Sequence, residues 1–165
     1  MNATVTMDLA IDYRRPRTWA TFGLFVAIVM AVGAFIGISS SPDAWYESLA
    51  KPPFNPPNWI FAPVWFALYV MIGIAGARTF LRDATSTPMF FWLLQMILNW
   101  AWTPTWFTLH LLWPAFAIII AILVLIVGFI VTSWRSDRVS ALLFMPYAAW
   151  VAFASSLNLS IALLN

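Results

Sequence analysis

Ala117–Val131 reads AIIIAILVLIVGFIV, fifteen residues without a single charged, amide or hydroxyl side chain. The apolar stretch continues from Leu112 to Ser133, where only Thr132 and Ser133 interrupt it. A run of about 20 apolar residues is what the hydrocarbon core of a bilayer demands of a helix, and no half-buried helix of a soluble domain needs it. This stretch therefore decides the solvent. The rest of the composition agrees with it: hydrophobic residues make up 63% of the chain and charged residues 8%, and the mean hydropathy is +0.87. Soluble domains carry about 25% charged residues, so too few are present here to coat a water-facing surface.

Working outward from that span, four more segments have a span's length and character. Val139–Leu164 follows it and Pro88–Leu109 precedes it, with Trp59–Ala77 and Thr18–Ile38 further upstream. Thr18–Ile38, too long for the apolar part of a secretory signal, reads as a retained helix behind a tail of residues 1–17. The expected architecture is all-α, an integral membrane bundle of five transmembrane helices (approximate spans 18–38, 59–77, 88–109, 112–133 and 139–164) forming one membrane domain over 18–165.

The cations set its expected direction. Arg14, Arg15, Arg17, Arg78, Arg82, Arg135 and Arg138 all fall on one side of such a bundle, and only Lys51 on the other. The excess of Lys and Arg in cytoplasmic segments then places the N-terminus inside and the C-terminus outside. Helical spans point to an inner rather than an outer bacterial membrane, since outer-membrane proteins are barrels. No basic stripe exists for nucleic acid. With no cysteine and a single histidine, His110, the chain offers no thiolate chemistry and no fixed haem or metal site. His110 is expected to be a solvated loop residue.

The link between the first two spans is SSSPDAWYESLAKPPFNPPNWIFAPVW, residues 39–65. Five prolines, Pro42, Pro52, Pro53, Pro56 and Pro57, make it stiff and non-helical through its middle. Trp45, Tyr46, Phe54 and Trp59 separate it from a disordered linker, which would lack aromatics. Two readings stand for such a segment: a lid over a site, or a belt of interfacial aromatics, the latter preferred for Trp59.

Inside the spans, polar and aromatic residues recur at helical spacing. Gln95, Asn99, Trp102 and Trp106 share one face, as do Tyr147, Trp150, Ala154 and Asn158, and as do Phe61, Trp65, Tyr69 and Ile72. Polar side chains in a membrane face the bundle interior, either as glue between helices or toward a ligand. Trp65, Trp102 and Ala154 lie roughly 9–12 Å below the outer helix ends at 1.5 Å per residue. Three stripes converging at one depth under a stiff loop outline a small-molecule pocket. Gly33 and Gly37 form a small-xxx-small pair, suited to close helix contact or a homodimer face. No acid–base dyad, nucleophile or internal inverted repeat is visible.

The residues of that loop and of two spans carry a family resemblance. Trp45-Tyr46, Leu49, Lys51-Pro52, Pro56-Pro57, Trp59, Phe61, Trp65 and Tyr69 are similar to the first-loop signature of the TspO / translocator-protein family. Gln95, Asn99 and Trp102-Thr103-Pro104 continue the likeness, as do Pro146-Tyr147, Trp150 and Leu157-Asn158; eleven tryptophans suit a tryptophan-rich family. The tail with its three arginines is longer than the family core needs, and the Tyr-then-Lys/Arg pattern claimed for sterol contact in animal members is absent. The resemblance implies a membrane sensory or regulatory protein with no obligatory cofactor, which takes protoporphyrin IX or haem as ligand. On it, Trp45, Lys51, Phe54, Trp65, Tyr69, Asn99, Trp102, Tyr147, Trp150, Ala154 and Asn158 are the expected ligand-binding residues. Trp65, Trp102 and Trp150 would contact the ring, Asn99 and Asn158 its polar edges, and Lys51 or the loop backbone a propionate. Two alternatives follow from the same resemblance: light- and oxygen-dependent porphyrin degradation through Trp65 and Trp150, and transport of porphyrin or another hydrophobic molecule.

Overall fold

The computed structural model describes residues 11–165; of the tail expected over 1–17, residues 1–10 lie outside the described residues. The chain forms α1 (Pro16–Ser39), α2 (Ala44–Ser48), a three-ten turn (Asn58–Ile60) running into α3 (Phe61–Arg82), α4 (Thr87–Phe107), α5 (Leu112–Ser133) and α6 (Arg138–Leu164). The ends follow from local chemistry. Pro16 opens α1 with its fixed φ, and Ser86 and Asp137 cap α4 and α6 by accepting the Met89 and Ser140 N–H groups.

Four segments are long and apolar enough to cross a membrane: Pro16–Ser39, Asn58–Arg82, Leu112–Ser133 and Arg138–Leu164. The protein is an integral membrane helical bundle. The count of five expected from the sequence is met in length by α4, whose 21 residues reach about 31 Å, but not in apolarity. Gln95, Asn99 and four tryptophans lower the hydropathy of α4, and most of these polar groups are turned inward, with Gln95 and Asn99 buried. The second span also runs five residues further than its expected end at Ala77, because Arg78 finds an internal partner and need not mark the membrane surface.

Neighbouring long helices pack α1 on α3, α3 on α6, α4 on α5 and α5 on α6. The main core is built from Val29, Leu68, Ile72, Trp92, Met96, Ile126, Phe129, Phe144 and Tyr147, with Leu24, Ile28, Phe35 and Ile38 of α1 left outside it. Such an outward apolar surface suits lipid as solvent. At the arginine-rich end, Arg78 makes a two-point pair with Asp137, Nε to Oδ2 at 3.0 Å and Nη2 to Oδ1 at 2.7 Å. Arg82 Nε lies 3.4 Å from Asp137 Oδ2, Ser140 Oγ donates to that oxygen at 2.7 Å, and Arg78 Nη1 donates to Tyr13 Oη at 2.6 Å. Burial alone would raise the Asp137 carboxyl, but the hydrogen bonds from Arg78 and Ser140 and the two guanidinium charges outweigh it and hold the group below its ordinary value.

The loop between α1 and α3 is ordered over the opposite end. Its middle, residues 49–57, is non-helical as its four prolines require, and α2 is docked: Tyr46 is buried against Trp106, Ala115 and Ile161. Trp59, by contrast, is 73% exposed, as a belt residue would be.

Candidate functional site

A cavity of about 490 Å³ opens beneath that loop. Met30, Gly33, Ala34 and Gly37 of α1, with Ser40 just beyond its end, form one wall, and Phe61, Ala62, Trp65, Phe66 and Tyr69 of α3 face them. Trp102, Thr103 and Phe107 of α4 close the back, and Pro42, Tyr46 and Asn58 rim the mouth. The volume lies within the roughly 300–1,000 Å³ of ordinary small-molecule sites, and the lining is aromatic with a few polar groups. Ala34, Gly37, Ala62 and Phe66 are exposed, so the cavity also faces outward between α1 and α3.

Of the sequence-expected residues, Trp65, Tyr69 and Trp102 line this cavity. Trp65 sits 5.2 Å from the Tyr69 ring and 6.3 Å from that of Tyr147. Asn99, Tyr147, Ala154 and Asn158 are buried behind the wall. Trp150 lies elsewhere, with Pro63, Ala67, Met71, Pro146 and Phe153 along a shallow groove between α3 and α6. The Phe61 ring, edge-on to Trp150 at 5.7 Å, stands between groove and cavity. Trp65 and Trp150, paired in the sequence reading, thus belong to different surfaces. Phe54 is exposed, with its ring edge-on to that of Phe153 at 6.4 Å.

The buried polar residues form one directional chain. Gln95 Nε2 donates to the Trp92 carbonyl at 3.0 Å, and a carbonyl can only accept. Gln95 therefore turns Oε1 to Tyr147, whose hydroxyl donates to it at 3.0 Å. The Tyr147 oxygen must then receive its next bond, and Asn99 Nδ2 supplies it at 2.8 Å. That leaves Asn99 Oδ1 for Tyr69, whose hydroxyl donates at 3.1 Å. One backbone carbonyl thus fixes every proton, including that of Tyr69 at the cavity wall. A second bond does the same for Trp102: its Nε1 donates to Asn158 Oδ1 at 3.1 Å, while Asn158 Nδ2 donates to the Ala154 carbonyl.

Lys51 is engaged as well. Its ammonium donates to the carbonyls of Tyr46, Glu47 and Leu49 at 2.6, 3.1 and 3.2 Å and lies 4.7 Å from the Tyr46 ring centre. All three N–H donors close the C-terminus of α2, the favourable place for a cation. Trp45 is half-buried and stacks on His110 at 3.9 Å. His110, at φ 57° in the left-handed region, is half-exposed in the α4–α5 turn. Its Nε2 stands 3.3 Å from Asp43 Oδ2, at ion-pair distance when the ring is protonated but not aligned as a hydrogen bond. The Tyr46 N–H, foremost, holds the Asp43 carboxyl below its usual range. Asn165 Oδ1 and Nδ2 bridge the Ala50 N–H and carbonyl at 3.0 and 3.1 Å, tying the loop to α6.

The α1 wall was absent from the sequence-expected set. Its signal was the Gly33–Gly37 pair, which sequence alone reads as a helix contact. Gly33 is instead the place where the Tyr69 ring lies against α1: an added Cβ would overlap that ring, standing 2.9 Å from Cδ2 and from Cζ. Gly37 has open space in front of it. Among the described residues no cluster of three or more metal-ligating side chains occurs.

A sequence profile described as TspO/MBR family matches residues 25–164, all the walls of the cavity included. The chain belongs to the TspO/MBR family. It is 34% identical to Protein CrtK of Rhodobacter capsulatus over 148 residues, 87% of this chain and 92% of the relative. The tryptophan-rich protein TspO of Archaeoglobus fulgidus is 37% identical over 85% of this chain and 94% of its own length. The translocator protein of Ovis aries is 34% identical over 79% and 82%. This TspO/MBR protein is thus similar to bacterial, archaeal and animal members over the same helices.

Proposed function

We propose that this TspO/MBR protein is a membrane sensory or regulatory protein that binds a tetrapyrrole, with protoporphyrin IX as the ligand, in the cavity under the Pro-rich loop. The observation that carries the reading is the cavity itself: Trp65, Trp102, Tyr69, Phe61 and Phe107 offer flat faces around about 490 Å³. Aromatic pairs contribute about 0.5–1.5 kcal/mol each beyond burial. The name of a relative in Cereibacter sphaeroides, tryptophan-rich sensory protein, 31% identical over 89% of this chain, supports the sensory part. The residues of the ring contact are Trp65 and Trp102, with Tyr69 at the inner end.

In this reading α4 is the fifth span, its polar groups spent inside the bundle, and the N-terminus is cytoplasmic in a bacterial inner membrane. Arg78, Arg82, Arg135 and Arg138 at one end against Lys51 at the other support that direction. Titration of purified protein with protoporphyrin IX, followed by quenching of indole fluorescence, tests the function. Saturable quenching that weakens in Trp65→Ala is expected; non-saturable quenching equal to that of empty detergent refutes it. Light-dependent loss of the bound porphyrin, measured by absorbance in the same sample, would instead support the degrading alternative, and of its two candidate indoles, Trp65 and Trp150, it is Trp65 that lines the cavity.

A further inference from the structure

The arginines at the end of the bundle away from the cavity fall into two sets. Three are neutralised within the protein: Arg15 Nε donates to Asp12 Oδ2 at 2.9 Å, and Arg78 and Arg82 share Asp137. Asp83, the remaining described acid of that end, is turned onto the Thr85 N–H and hydroxyl of its own link, at 2.8 and 2.7 Å. Arg14, Arg17, Arg135 and Arg138 are exposed, and among the described residues none has a carboxylate at ion-pair distance. Arg17 and Arg138 do not serve their own helices either. Both stand in the first turn, where the helix dipole favours an anion over a cation.

Two of these four are organised by the turn between α5 and α6. The Ser136 and Asp137 N–H groups both donate to the Ser133 carbonyl, at 3.1 and 2.7 Å, and close the turn. Asp137 points inward to Arg78, Arg82 and Ser140, so it is not available to the arginines on either side of it. The Arg138 guanidinium lies over the Trp134 ring, 5.2 Å from its centre. Stacking occupies a face of the guanidinium and leaves its N–H edges open. Below the turn, Val124, Val127 and Val131 of α5 are exposed at helical spacing, and Trp134 and Arg135 continue the same face three and four residues on. An apolar stripe thus runs along a membrane-spanning helix and ends at an indole and two guanidinium groups without a counter-ion. We propose that this face is a binding site for an anionic phospholipid: an acyl chain along Val124, Val127 and Val131, the glycerol region at Trp134, and the phosphate between Arg135 and Arg138. Guanidinium groups hold phosphate oxygens in charge-assisted, two-point bonds. A zwitterionic lipid offers the same phosphate but brings a quaternary ammonium beside two cations, which selects a headgroup of the phosphatidylglycerol kind. The site does not depend on what the cavity binds or on which side of the membrane this end faces.

The test uses the purified full chain in mixed micelles holding phosphatidylglycerol and phosphatidylcholine in equal amounts, with native mass spectrometry counting the lipid each protein retains. An arginine at a lipid surface contributes about fivefold, so the parent should retain phosphatidylglycerol over phosphatidylcholine by roughly twentyfold. In the double variant Arg135→Gln, Arg138→Gln the ratio should fall to within about twofold of unity. The double variant Arg14→Gln, Arg17→Gln removes as much charge from the same end and should keep most of the parent's preference. Arg138→Lys retains the charge but not the stacked planar fork, and should lose about threefold. All four arginines lie outside the Asp137 cluster, so the variants should match the parent's helicity by circular dichroism. Equal retention of the two lipids by the parent overturns the proposal. Equal losses from the two arginine pairs, or no loss from Arg138→Lys, mean a diffuse basic field and overturn the site. Millimolar inorganic phosphate, which cannot use the valine stripe, should leave the lipid in place; its complete displacement of the lipid would make this a free-phosphate site and overturn the lipid assignment.

Discussion

Replacement of Gly33 by alanine is the sharpest perturbation of the cavity, because the structure states what the added methyl group meets. A Cβ at this position overlaps the Tyr69 ring, and the ring is flanked by Trp65 at 5.2 Å, so it cannot slide along α3 without disturbing a second aromatic. Overpacking of this kind costs about 1–3 kcal/mol. Displacing the ring also breaks the Tyr69–Asn99 bond of 3.1 Å, worth about 0.6–2 kcal/mol inside a membrane bundle. Alanine returns up to about 1 kcal/mol of helix propensity. The balance is a net loss of about 1–4 kcal/mol. The assay is a double-mutant cycle on thermal unfolding in detergent, with Gly33→Ala measured in the parent and in Tyr69→Ala, where the ring is gone. Neighbours in contact couple by about 0.5–3 kcal/mol, and here the coupling should recover most of the penalty. If Gly33→Ala costs as much without the tyrosine ring as with it, the Gly33–Tyr69 contact does not explain this glycine. If the only change is in the size of the oligomer, a subunit interface explains it instead.

Asp137→Asn should destabilise by about 3–5 kcal/mol, read as a lower unfolding temperature, because it leaves Arg78 and Arg82 without their shared anion at a site where the carboxylate is only 5% exposed. The same group predicts an acid limb. Its folded-state value is depressed, so the stabilisation is present above the ordinary carboxylate value and is lost as pH falls through the depressed one; the parent should lose stability below about pH 4 while Asp137→Asn stays flatter. Trp102→Phe removes the donor to the buried Asn158 and should cost about 1–3 kcal/mol, whereas the double change with Asn158→Leu should recover part of it. Lys51→Met should loosen α2, seen as faster amide exchange at Glu47–Leu49 with unchanged total helicity by circular dichroism, since its three acceptors lie within that turn and its link. Reporter fusions at the two termini should show the N-terminus inside and the C-terminus outside; a cytoplasmic C-terminal reporter would contradict the five-span arrangement.

Hydropathy and periodicity carried the sequence a long way. The span at Leu112–Ser133 named the solvent, and the prolines at 52, 53, 56 and 57 correctly excluded a helix from the middle of the loop, because both depend on local side-chain chemistry alone. The inward face of α4 was legible for the same reason: Gln95 and Asn99 in a membrane have nowhere else to go. What each buried residue bonds to was not legible. Asn99 was equally suited to a ligand and to a neighbour until Tyr69 and Tyr147 were brought to its two ends from 30 and 48 residues away. Lys51 read as a free cation until its own turn folded back on it. Trp65 and Trp150 share a motif pattern and a similar distance along their helices, yet rotation of α6 against α3 puts them on opposite sides of Phe61. Sequence spacing gives the face of each helix in isolation; which faces meet, and hence whether a polar group is spent or left for a ligand, is decided by packing between helices that the period of any one of them does not encode.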